Sequence, residues 1–283
     1  MDASALGQIV AVVFAVLVWA APASSQDLSW PEENRRVGWT EATVIGGSTA
    51  ALVGLHFGVD EPRDARWIGP ILLDDAFRSA LVSDSEGVKL TGALSDVLLF
   101  SLIGWTAVID SVGIAGLAND EWDSAFQAST IAAQSHALNA LVTTGMKYAV
   151  GRRRPGFGSC YDEPFGDEKC GRRSNVSFPS GHTSTAFTGA GLICVTHENL
   201  AYYGGAADRI ACYTALGLAT ATGLLRVTSN NHYLSDIVVG AVIGLSMGYL
   251  LPRFVYFGDD PVRTSSAPLH APAPPLMQFG GQF

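Results

Sequence analysis

The chain has 283 residues, enough for one large domain or two small ones. It carries 17 Lys and Arg against 26 Asp and Glu, a formal charge of −9, the reverse of the balance a nucleic-acid binder shows, so no nucleic-acid partner is expected. The basic residues are uneven, however: Arg152, Arg153, Arg154, Arg172 and Arg173 crowd together, and such a patch draws in an anion even on an acidic protein.

Ile9–Ala21 is an apolar run too short to span a bilayer. Ala21-Pro22-Ala23 resembles a cleavage site and polar Ser24-Ser25-Gln26 follow, so residues 1–23 read as an export signal; an uncleaved anchor is the alternative, since Asp2 stands where a Lys or Arg is usual. Residues 24–64 hold a polar, irregular lead-in with Trp30, Pro31 and Trp39, then a first helix. Small and apolar residues then dominate with little period-two alternation, which predicts helices over 41–58, 72–83, 92–115, 121–150, 182–197, 207–226 and 233–251. The expected fold is therefore all-α, with the main domain over 65–256. Pro252 predicts a helix stop, and the Pro/Ala-rich residues 257–283 read as an extended tail.

The uncharged runs Val97–Ile109, Thr183–Thr196, Ile210–Leu225 and Ile237–Leu251 fall short of the ~20 residues that cross a bilayer. The longer run Ser124–Met146 is broken by Gln127, Gln134, His136 and Asn139. The reading that follows is an exported, periplasmic or extracytoplasmic helical domain, soluble or membrane-associated. An integral membrane protein with its active site facing the periplasm is the alternative. Cys160 and Cys170 flank a polar loop and are disulfide candidates. Cys194 and Cys212 lie in apolar helical segments and read equally as small buried hydrophobes or a second bridge. No cysteine or histidine spacing suggests zinc.

Three short segments carry chemistry. In R-x5-H-x3-D, His232 and Asp236 are four apart and share a helix face; the carboxylate fixes one imidazole nitrogen and leaves the other as base or nucleophile. In P-S-G-H, a turn opens a helix near His182, and exposed backbone N–H groups there suit an anion. Gly181 permits close approach, Ser180 adds a hydroxyl, and His182 can donate a proton to a leaving oxygen. In K-x6-R-P, Lys147 and Arg154 are seven apart, so both can face one side of a helix that Pro155 ends. Arg152 and Arg153 read as a solvated basic helix end. His136 reads as a satisfied core polar group, His197 has no evident partner, and Asp96 and Asp110 read as helix-end residues.

In this order and spacing the three segments resemble the signature of the type 2 phosphatidic acid phosphatase (PAP2) family, which includes bacterial acid phosphatases and vanadium-dependent haloperoxidases. The resemblance covers roughly residues 72–251 and implies a bundle of about six to seven helices. It implies metal-independent phosphoester hydrolysis through a phosphohistidine, with no cofactor and a phosphorylated small molecule or lipid as substrate. By position, His232 would be the nucleophile, Asp236 its orienting partner and His182 the general acid; Lys147, Arg154, Ser180, Gly181 and Arg226 would bind phosphate. One position departs: the family usually has Ser before the third-segment arginine, and here it is Leu225. A weakened or retuned site is expected, with Thr222 or Thr228 as candidate replacements. A vanadium haloperoxidase or a non-catalytic phosphate or headgroup binder are the other functional readings.

Overall fold

The structure, a computed structural model, describes residues 27–157 and 174–258. Residues 1–23, read above as an export signal, the Cys160–Cys170 loop with Arg172 and Arg173, and nearly all of residues 257–283 lie outside the described residues. Among the described residues there are seven helices and no named strand. They are α1 (Trp39–Gly58), α2 (Asp74–Leu81), α3 (Ser85–Gly104, continuing as a π-helix over Trp105–Ala118), α4 (Trp122–Val150), α5 (Gly181–Leu200), α6 (Ala206–Thr228) and α7 (Leu234–Leu245, continuing through Ser246–Leu250 to Leu251–Val255). The all-α expectation holds. Two boundaries differ for local reasons. Helix α3 begins seven residues earlier than periodicity suggests, because Asp84 caps it by accepting from the Gly87 N–H at 2.8 Å. Pro252 does not stop α7; it enters the final turn, which runs on to Val255.

Helix α5 is the centre of the bundle. Ala186, Ala190, Ile193 and Val195 are fully buried, and α4, α6, α7 and both parts of α3 pack around it. Its contact with α7 is backbone on backbone. A methyl group at Gly240 would lie 2.8 Å from the Ser180 carbonyl, at Gly244 2.3 Å from that of Ser184, and at Gly248 2.1 Å from that of Thr188. A glycine every fourth residue thus lets the two helices touch, and the start of α5 is held against the start of α7. Cys194 and Cys212 form a disulfide between α5 and α6, which decides between the two readings for that pair.

Three helical segments are long and apolar enough to cross a membrane: Glu86–Ala118 (33 residues), Ala206–Thr228 (23) and Leu234–Val255 (22). This corrects the run-length argument for a domain without spans. Two of the uncharged runs end at or near Asp110 and Asp208, and both carboxylates are turned inward. Asp110 is buried and paired with His197 (3.1 Å) and the Tyr203 hydroxyl (2.8 Å); Asp208 is buried against the other nitrogen of His197 (2.7 Å). Ionisable residues inside apolar helices point to the bundle interior and pair there. The outer faces present Phe100, Val108, Ile210, Val242 and Phe254, each more than half exposed. Asp96 and Asp110 are therefore mid-helix residues, and His197 has two partners. His136 is corrected in the opposite sense: both ring nitrogens are buried with no hydrogen-bond partner.

Candidate active site

The site forms where the starts of α5 and α7 meet the ends of α4 and α6. Gly151 ends α4 in the left-handed conformation (φ 61°), so the helix stops at Val150, well before Pro155. This corrects the expectation that Lys147 and Arg154 share a helix face. Lys147 lies in the last turn of α4, whereas Arg154 lies on the following extended segment, its N–H bonded to the Ser174 carbonyl at 2.8 Å. The Arg154 guanidinium reaches the Asn231 side-chain oxygen at 3.3 Å, beside His232.

Ser180 is the N-cap of α5, which starts at Gly181; its hydroxyl accepts from the Thr183 N–H and hydroxyl, at 3.4 and 2.9 Å. The Ser180 N–H donates to the Asp236 carbonyl at 3.0 Å, joining the second segment to the third. A methyl group at Gly181 would lie 2.9 Å from the Lys147 ammonium nitrogen, the mobile end of that side chain. The Lys147 charge therefore rests on the start of α5.

His232 is 1% exposed, and its N–H donates to the Arg226 carbonyl at 3.2 Å. Its Nδ1 lies 3.5 Å from Asp236 Oδ2, long for a hydrogen bond; the same oxygen accepts from Ser177 Oγ (2.6 Å) and the Tyr233 N–H (2.9 Å). Burial pushes the His232 imidazole down to about 3; Asp236 opposes this, while Arg154 and Arg226 add to it. His182 Nε2 lies 2.7 Å from Asp96 Oδ1. Burial, helped by Arg226 and Lys147, lowers it to about 4 against the pull of Asp96. Both imidazoles are thus held neutral at physiological pH. Arg226 donates to the Ser95 hydroxyl at 3.1 Å and lies 3.8 Å from Asp96.

All the predicted site residues outside the Cys160–Cys170 loop therefore gather at one end of the bundle. Sequence reasoning missed Asp96 and Ser95 on α3, and Ser177. The signal for the first two was present: a polar pair within a long apolar helix finds partners on its neighbours. It also missed Arg152. Far from a solvated helix end, Arg152 is fully buried and makes ion pairs with Asp74 (2.7 Å) and Asp236 (2.6 Å). Nor do the threonines replace the hydroxyl lost at Leu225. Thr222 donates to the Leu218 carbonyl and Thr228 to the Leu225 carbonyl, each back into its own helix. The hydroxyl beside Arg226 comes from Ser95.

Residues 128–259 match the model of the PAP2 superfamily. The match takes in a little under half of the chain. Among curated relatives, it is 33% identical over 129 residues to a PA-phosphatase related-family protein of Dictyostelium discoideum, covering 44% of this chain and 45% of that protein. It is 34% identical over 122 residues to the lipid A 1-phosphatase of Porphyromonas gingivalis, covering 41% of this chain and 22% of that one. The chain spans less than half the length of these relatives. A crystal structure of a transmembrane PAP2-type phosphatidylglycerolphosphate phosphatase from Bacillus subtilis aligns at 18% identity with a TM-score of 0.49, over 77% of this chain and 96% of that one; so loose an overlap carries no weight here. Lys147, Arg154, Ser180, Gly181, His182, Arg226, His232 and Asp236 all fall inside the PAP2 stretch. Asp74, Ser95 and Asp96 reach the site from α2 and α3, outside it.

Proposed function

We propose that this protein is a membrane-embedded phosphatase that hydrolyses the phosphomonoester of a lipid through a phosphohistidine. One observation carries the reading: a buried histidine, His232, and a partly buried one, His182, share a small site with three cations of a PAP2 signature, at one end of a bundle whose outer faces are apolar.

In this mechanism Lys147, Arg154, Arg226 and the backbone at Ser180–Gly181 hold the non-bridging phosphate oxygens, where charge gathers in phosphoryl transfer. With Nδ1 turned to Asp236, Nε2 of His232 attacks phosphorus. The N–P bond forms, the P–O ester bond breaks, and His182 gives its proton to the leaving alkoxide. A dianionic phosphate offsets the fields of Arg226 and Lys147 that hold His182 down, so the imidazolium forms in the complex. Asp236 is the counter-charge for the phosphorylated imidazole. Water then attacks phosphorus, its proton passes to His182, the N–P bond breaks and inorganic phosphate leaves. The relatives named for lipid A and PA phosphatases support a lipid substrate, as do the three span-length helices. An extracytoplasmic site belongs to the same proposal and rests on the N-terminal sequence alone.

The test is release of phosphate by purified protein in micelles, with phosphatidic acid, lipid A and p-nitrophenyl phosphate compared. Hydrolysis is expected with EDTA present and is abolished by orthovanadate and by His232→Ala. Activity lost in EDTA and restored by a divalent cation would overturn the metal-free route. Full activity in His232→Ala would remove the nucleophile.

A further inference from the structure

Behind the PAP2 residues lies a buried arrangement that the mechanism above does not use. Arg152 sits between two carboxylates, its Nη1 on Asp236 Oδ1 at 2.6 Å and its Nη2 on Asp74 Oδ2 at 2.7 Å. The Arg152 guanidinium lies over the Trp67 ring at 3.9 Å and the Tyr233 ring at 4.1 Å. Its backbone is also fixed: the Arg152 carbonyl accepts from the Ser177 N–H at 3.0 Å, and Ser177 in turn holds Asp236. Asp74, from the first turn of α2, is as firmly placed. Its Oδ1 accepts from the Ser235 N–H, and its Oδ2 from the Ser235 hydroxyl, both at 2.8 Å. Both carboxylates are fully desolvated, Asp74 at 1% and Asp236 at 0% exposure.

The consequence for His232 is directional. Arg152 occupies Oδ1 of Asp236, which leaves Oδ2 as the oxygen turned towards His232 Nδ1. One guanidinium shared by two carboxylates also leaves a net negative charge beside the imidazole. Resting on the phosphatase reading, we propose that Arg152 and Asp74 are positioning residues for the His232–Asp236 pair: Asp74 fixes Arg152, and Arg152 sets the rotation of the Asp236 carboxylate. The other charged groups facing His232 are Arg154, from the extended segment after α4, and Arg226, from α6. Asp74 bonds to Arg152, Ser235 and Ile71, so the arrangement can be perturbed from Asp74 itself.

Asp74→Asn is the discriminating variant. It is isosteric, and an Asn oxygen in the Oδ2 place keeps the bonds from Arg152, the Ser235 hydroxyl and Ile71, while its NH2 meets the Ser235 N–H, whose bond is lost. The charge is lost, and the Ser235 N–H left without an acceptor lowers stability. Expected are kcat and the rapid-quench rate of phosphoenzyme formation both about 10-fold lower per folded protein, the scale on which outer-shell partners act, with KM near wild type and a lowered melting temperature. Arg152→Lys is expected to recover more kcat than Arg152→Gln when equal amounts of folded protein are compared. An unchanged kcat in Asp74→Asn overturns the proposal; so does a fall that only tracks loss of folded protein. Orthovanadate affinity, measured by calorimetry, separates this from failure of the phosphatase reading. If the wild type hydrolyses none of the three substrates, that reading fails, and the positioning role is judged on vanadate alone. Weaker vanadate binding by Asp74→Asn, again about 10-fold, supports the role; equal binding overturns it.

Discussion

Asp96→Asn tests the electrostatics of the proposed general acid. His182 Nε2 and Asp96 Oδ1 are 2.7 Å apart, and Asp96 is the charge that opposes burial, Arg226 and Lys147 in setting the His182 proton affinity. A hydrogen bond to a charged group is worth about 1.5–3 kcal/mol. The Asp96 side chain is 51% exposed, so screening reduces its share to about the lower end, near 1.4 kcal/mol. That is about one pKa unit, or tenfold in the protonated fraction. The sign follows from the role. An acid must be protonated to act, so a further fall in its pKa moves the alkaline limb of the kcat/KM profile about one unit to lower pH. At neutral pH kcat/KM drops about tenfold. Asp96 also stands 3.8 Å from Arg226, where it competes with an incoming phosphate, so KM is expected to hold or fall while kcat drops. A pH series of initial rates with p-nitrophenyl phosphate reads both effects. An alkaline limb that does not move would refute the assignment of His182 as acid, and a raised KM with constant kcat would assign Asp96 to binding.

Three further outcomes follow from the geometry. Ser95→Ala removes the hydroxyl that accepts from Arg226 and should lower kcat/KM by about 2- to 10-fold, the range of one ordinary hydrogen bond; restoring the familial hydroxyl with Leu225→Ser in that background should recover part of the loss. Gly244→Ala places a methyl group 2.3 Å from the Ser184 carbonyl, so α5 and α7 must separate; a loss of at least about 1–3 kcal/mol is expected from denaturation, with activity falling in parallel. Stability should also fall in acid. His182 and His232 are held down to about 4 and about 3, so the unfolded chain binds more protons below about pH 6.5; stability is complete above that value and is lost as pH falls towards 4 and then 3, with a slope approaching about 2.7 kcal/mol per pH unit for two groups. A pH-independent denaturation midpoint between 6.5 and 4 would contradict the buried, neutral assignment.

The helices were legible because their signal, runs of small and apolar residues, is local; the ends that Asp84 and Gly151 set were not read. The eight predicted site residues gather at one place because Lys147, the Ser180 turn, Arg226 and Asp236 each mark the end of a helix, and the bundle brings four such ends together. What the sequence hid was tertiary. Nothing in the spacing around Arg152 distinguishes it from Arg153 next to it, yet one is fully buried between two carboxylates. The choice was made by Asp74, some eighty residues upstream, which no periodicity links to Lys147 or Arg154.

The membrane question turns on the same difference. Counting uncharged runs treats every Asp as a break, which is right for an isolated helix in lipid. In a bundle, a carboxylate is tolerated wherever the interior supplies a partner. Asp110 and Asp208 both end on His197, and Asp96 ends on His182. The helix that receives all three is α5, the buried centre, whose own sequence is too polar to rank among the span-length helices. The charges that break the apolar runs of α3 and α6 and the polar character of α5 are thus one feature seen from two sides. The outer helices turn their carboxylates to the central one, and the apolar residues that remain outside form the surface that a bilayer would meet.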